Sequence, residues 1–170
     1  MESALFNLLY LAGEYSTVGY LILLATAIIT ERKLTSITVT LAVVALGACV
    51  ASLALQPLYE IASRDHPLHK LSWYGTWMVL DVVSLWLLVH LHQSLGLRVS
   101  KMCLAAALAF VGLTILQAAD FIDVITVKTD LIAPIYQLGV LSIHVGLIPV
   151  IIVYWWQEIH IRKAIRLGAV

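Results

Sequence analysis

Charge is scarce in this sequence: only 12% of its 170 residues are Asp, Glu, Lys or Arg, where a soluble domain carries about 25%. That shortage excludes a cytosolic enzyme, a nucleic-acid binder and a disordered regulator, because none could stay in solution with so little surface charge. Cysteine is nearly absent as well. Cys49 and Cys103 are the only two, each inside an apolar run, and their spacing suits neither a disulfide framework nor a zinc site. Net charge is also missing. Ten basic residues balance ten acidic ones, so no global field points to an acidic or basic partner.

What the chain has instead is apolar length. Apolar residues make up 62% of it, and mean hydropathy is +0.98. A bilayer core takes about 20 mostly apolar residues per helix. Five runs qualify, at 4–30, 35–56, 71–94, 102–126 and 131–156. They are continuous and too long for the roughly 10-residue alternating strands of a barrel. The expected fold is therefore all-α, a single polytopic domain of five transmembrane helices with the bilayer as its first partner. The first run does not read as a cleaved signal peptide, since it lacks a basic leader and Glu14 interrupts it.

Orientation follows from the basic residues. The 31–33 and 98–101 loops and the C-terminal tail (Arg162, Lys163, Arg166) hold seven of the ten, and the 57–70 and 127–130 loops hold the other three. The positive-inside rule then puts the N-terminus outside and the C-terminus in the cytoplasm, most simply of a bacterial inner membrane. Tyr154, Trp155 and Trp156 at the inner end, and Trp73 and Tyr74 at the outer end, suit interfacial aromatic belts. The longest loop is expected from Pro57 to Lys70. Gly47 with Ala51, and Ala105 with Ala109, are small-residue pairs that allow helices to approach closely. They fit packing within the bundle or a homo-oligomer interface.

The intramembrane polar residues carry the functional signal. Glu14, Asp81, Asp120 and Asp123 fall within spans, whereas all Lys and Arg residues read as loop or tail. An ionised acid at a helix centre costs roughly 2.5–3.5 kcal/mol even on lenient scales, so each must face the bundle or water. Glu14 and Asp81 both lie about 15 Å below the outer interface at 1.5 Å per residue. Helical phase sorts the polar residues into one stripe per helix. Asn7, Tyr10, Glu14 and Thr17 share a face of the first helix; Trp77, Asp81, Ser84 and His92 share one on the third. Phe110, Gln117 and Asp120 align on the fourth helix, and Gln137 and His144 on the fifth, close to Pro149, which interrupts that helix's hydrogen bonding.

These stripes point to a ligand- or ion-binding site in the outer half, made by Glu14, Asp81, Gln117, Asp120, Gln137, His144, Tyr10 and Trp77. Tyr15, Trp73 and Tyr136 are further expected walls. A carboxylate among aromatic rings suits a proton or an amphipathic organic cation, hence a transporter, channel or small-ligand-binding protein. Three alternatives stay open. A redox subunit holding haem b or a quinone would need two axial histidines, with His92 and His144 the best pair on phase but about 10 Å apart in depth. An intramembrane hydrolase would look to His66, His69 and Asp65. An accessory subunit would need only the small-residue faces.

Overall fold

The computed structural model describes the backbone of residues 2–62, 67–127 and 132–166, and the side chains of 10–62, 68–126 and 132–162. Five helices follow in order: α1 (Glu2–Glu31), α2 (Ser36–Ala62), α3 (Pro67–Ser94), α4 (Lys101–Ile122) and α5 (Ala133–Arg166). A π-helical turn, Asp123–Val127, extends α4. No strand occurs among the described residues, and all five helices are long and apolar enough to cross a membrane. Their outer surfaces are apolar too. Ile29, Leu53, Val79 and Leu108 all point away from the bundle, which suits contact with lipid.

Helix ends are set by local chemistry. Before α2, the Thr35 and Thr38 hydroxyls each accept the other residue's backbone N–H, a reciprocal cap of the first turn. Ser100 caps α4 by accepting the Cys103 N–H at 3.1 Å. α3 stops at Gly96, whose φ of +61° is the left-handed conformation that glycine adopts without steric cost.

Two boundaries differ from the sequence reading. The expected 57–70 loop is largely helical: α2 continues through Pro57 to Ala62, and α3 already begins at Pro67. Proline in the first turn of a helix gives up an N–H that had no partner there anyway, and Pro57 removes a single donor near a helix end. His69 consequently sits on a helix, while Asp65 and His66 lie outside the described residues, as do Lys128 and Asp130 and the side chains of Asn7, Lys163 and Arg166.

The helices close into a ring in chain order, with α5 returning to α1 and α2 also touching α4. The ring has a solid half and a hollow half. The solid half lies where α1, α3 and α5 end and α2 and α4 begin, and there Ile37, Leu41, Leu88, Met102 and Ile151 are fully buried. Lipid tails are as apolar as these side chains, so close packing and hydrogen bonds hold this half rather than exclusion from water. Its polar knot ties three helix ends together. Ser36 Oγ lies 2.8 Å from His92 Nε2 and 2.9 Å from Ser100 Oγ, and His92 Nδ1 lies 2.7 Å from the Leu88 carbonyl. At the same end Arg162 forms an ion pair with Glu31, and the Trp155 indole N–H donates to Glu31 at 3.4 Å. Trp155 thus packs inward instead of joining an interfacial belt, and Trp156 alone of that pair faces out.

Gly47 is where α2 approaches α3. A Cβ there would meet Ser84 Oγ at 3.2 Å, so this small residue serves contact within the bundle. Gly47→Leu is expected to cost roughly 1–3 kcal/mol through overpacking. Gly146→Leu, whose Cβ would meet nothing within 4 Å, should cost clearly less. Thermal unfolding of both variants in detergent checks the difference; equal losses would mean that the α2–α3 approach does not limit packing.

Candidate functional site

The hollow half is a cavity of about 550 Å³ lined by all five helices. It runs from the ends of α2 and α4 and the starts of α3 and α5 down to Tyr20, Val44 and Leu147 in the middle of the bundle. Its existence follows from the helical stripes: i, i+3 and i+4 spacing puts polar groups on one side of each helix, and the ring turns those sides inward.

All eight residues singled out from the sequence line this cavity, but their settings differ. On α3, Asp81, Ser84, Leu88 and His92 form a buried stripe, with Asp81 at the cavity and His92 in the solid half. Asp81 is 7% exposed and accepts a hydrogen bond from Gln117 Nε2 of α4 at 3.0 Å. The other amide atom, Gln117 Oε1, is buried and accepts no hydrogen bond from a described protein group. One turn further along α4, Asp120 is 2% exposed and accepts the Tyr74 hydroxyl at 2.6 Å. Asp123 is buried as well and accepts the Ile132 N–H at 3.5 Å. Both residues therefore turn inward rather than to an interface.

Glu14 has a different environment. It lies on the exposed flank of α1, still at the cavity, with Tyr10 hydrogen-bonded beside it. The expected buried pair of Glu14 and Asp81 thus becomes one buried acid and one rim acid, and Asp120 is the second deeply enclosed carboxylate. Gln137, Trp77 and His144 line the wall, and His144 presents its backbone carbonyl to Tyr20.

Tyr20 carries a contact that the sequence did not single out. Only 1% exposed, it donates its hydroxyl to the His144 carbonyl at 2.7 Å, joining α1 to α5 just before Pro149. Thr17 and Ser52, 2.9 Å apart, make the corresponding polar contact between α1 and α2. Tyr15, expected as a wall, is 73% exposed. One residue past Glu14 is 100° around the helix, and that step carries it to the outside.

Aromatic rings wall the outer portion. Trp73 lies edge-on between Tyr59, at 6.5 Å, and Trp77, at 5.5 Å, and its indole hydrogen-bonds Tyr136. Tyr74 packs edge-on against Tyr136 at 6.0 Å. Trp73 and Tyr74 therefore belong to the cavity and not to an interfacial belt. Such edge-on pairs hold rings in fixed orientations that present both faces and edges to an occupant.

Two further expectations are corrected by geometry. Lys70 lies on α3 and lines the cavity, so the site is not free of basic side chains; the helical start at Pro67 places it there. His92 and His144 do not meet. His144 lines the cavity, whereas His92 is held in the polar knot with both ring nitrogens engaged, and that leaves it unsuited to clamp a haem with His144. Among the described residues, no three His, Cys, Asp or Glu side chains gather as a metal-ligand set.

No protein-family model, curated protein or solved structure matches the chain.

Proposed function

We propose that this protein is an integral membrane protein that binds a small organic cation in the cavity of its outer half, as a transporter or ligand-binding protein. The observation that carries the reading is Asp81, a carboxylate buried at a cavity of about 550 Å³ and walled by Trp73, Trp77 and Tyr136. Small-molecule sites run from roughly 300 to 1,000 Å³, with apolar walls and a few placed polar groups. Indole and phenol faces attract a cation within about 6 Å, and the carboxylate supplies the opposite charge. Gln117 holds that carboxylate in place while its own free oxygen offers an ammonium N–H a second acceptor.

The orientation is part of the proposal. The solid end carries Arg32, Lys33, Arg98, Lys101 and Arg162, which the positive-inside rule assigns to the cytoplasm; the cavity then belongs to the outer leaflet. A helical bundle suits a bacterial inner membrane, since outer-membrane spanning proteins are barrels. A single cysteine at position 59, beside the cavity mouth, should react with an impermeant reagent added to intact cells, and one at position 98 should react only after lysis. The reverse pattern would invert the orientation.

The direct test of binding uses two ions of one shape and opposite charge. Tetraphenylphosphonium should bind the purified protein in nanodiscs and quench its tryptophan fluorescence, while tetraphenylborate should not. Equal responses to both, after subtraction of empty nanodiscs, would remove the cation reading and leave the accessory-subunit alternative.

A further inference from the structure

From the placement of Lys70 we infer that the ligand is not a simple cation but an elongated zwitterion, its ammonium seated at Asp81 and Gln117 and its anionic group at Lys70 near the mouth. This rests on the cation-binding reading above and names the substrate class of that site. Lys70 and Asp81 line the same cavity and lie eleven residues apart on α3. Eleven residues are close to three full turns, so both project from one face, and the axial separation is about 16 Å. Trp73, Tyr74 and Trp77 line the cavity between them. The face therefore reads, from the mouth inward, as a cation, a run of aromatic rings and a carboxylate.

A simple cation does not account for Lys70. An ammonium at the mouth opposes the approach of another ammonium and adds nothing to its binding at Asp81. Among the described residues, no carboxylate forms an ion pair with Lys70, so the site's own acids do not consume its charge. Lys70 also follows Pro67 within the first turn of α3, where the positive end of the helix dipole adds to its pull on an anion. The separation excludes a phospholipid headgroup, whose ammonium and phosphate are only a few bonds apart. It suits a chain or fused-ring amphiphile with an amine at one end and a carboxylate, phosphate or sulfonate at the other.

The test is competition against bound tetraphenylphosphonium with three probes of one chain length: aminododecanoic acid, dodecylamine and dodecanoic acid. On the unaltered protein the amino acid should compete roughly fivefold better than the amine, the gain of one partly exposed ion pair, and dodecanoic acid should compete worst. Aminohexanoic acid, too short to reach both groups, should lose that advantage. Lys70→Gln should bring aminododecanoic acid level with dodecylamine, and Lys70→Arg should restore the gap, separating a charge effect from misfolding. If the unaltered protein does not prefer the amino acid, or Lys70→Gln leaves the preference intact, the zwitterion inference falls while tetraphenylphosphonium binding still upholds the cation site. Loss of tetraphenylphosphonium binding itself would mark failure of the underlying reading instead.

Discussion

Asp81→Asn is expected to weaken tetraphenylphosphonium binding on the order of 100-fold, as truncation of a buried charge partner does, and to erase the preference over tetraphenylborate. Asn has nearly the shape of Asp and keeps an oxygen for the Gln117 amide, so the α3–α4 contact and the thermal stability should persist. What disappears is the negative charge in a place where water screens little. The other acids should matter less, for reasons visible in their surroundings. Asp120 already receives the Tyr74 hydroxyl, and Glu14 lies on the exposed flank of α1, where solvent and salt weaken its pull. The expected order of loss is thus Asp81→Asn, then Asp120→Asn, then Glu14→Gln. If Glu14→Gln alone abolished binding, the cation would sit at the rim and the Asp81 site would be structural.

The cavity could be foreseen because lipid makes an intramembrane polar side chain expensive. Helical phase then tells which side of each helix must turn inward. Asp81 with Ser84 and Gln117 with Asp120 were readable on those grounds. Tyr20 was not, because its partner is a backbone carbonyl 124 positions away, and a lone Tyr in an apolar run carries no phase signal. Lys70 was missed for a different reason. Pro57 and Pro67 read as loop punctuation, yet both are compatible with helix near its ends, and this adds nearly three turns of wall to α2 and α3 together. Glu14 shows the limit of residue counting: equal depth to Asp81 says nothing about whether a neighbouring helix covers it. The small-residue pairs left two uses open, and at Gly47 the contact with Ser84 accounts for one within the bundle.

The largest stability loss is expected at the opposite end, from Arg162→Gln. Glu31 closes α1 there, its side chain only 5% exposed, and it is held between the Arg162 guanidinium and the Trp155 indole. Removing one partner of a buried pair strands the other charge, at a cost of about 3–5 kcal/mol. Arg162 is itself 33% exposed, so a figure of about 3 kcal/mol is expected here. Glu158, 3.5 Å from Arg162, cannot compensate, because it carries the same sign as Glu31. The double variant Glu31→Gln with Arg162→Gln should recover most of the loss, since two neutral amides can hydrogen-bond where a lone carboxylate cannot. A double-mutant cycle of unfolding in detergent measures this, and strict additivity would show that the pair contributes no coupling. The location gives the result a second reading. The pair spans the seam where the last helix meets the first, the seam that closes the ring beneath the cavity. In a transporter this seam would have to open for the ligand to pass inward, so Arg162→Gln should also raise ligand leak across vesicles, and the double variant should not reverse that leak even as it restores stability.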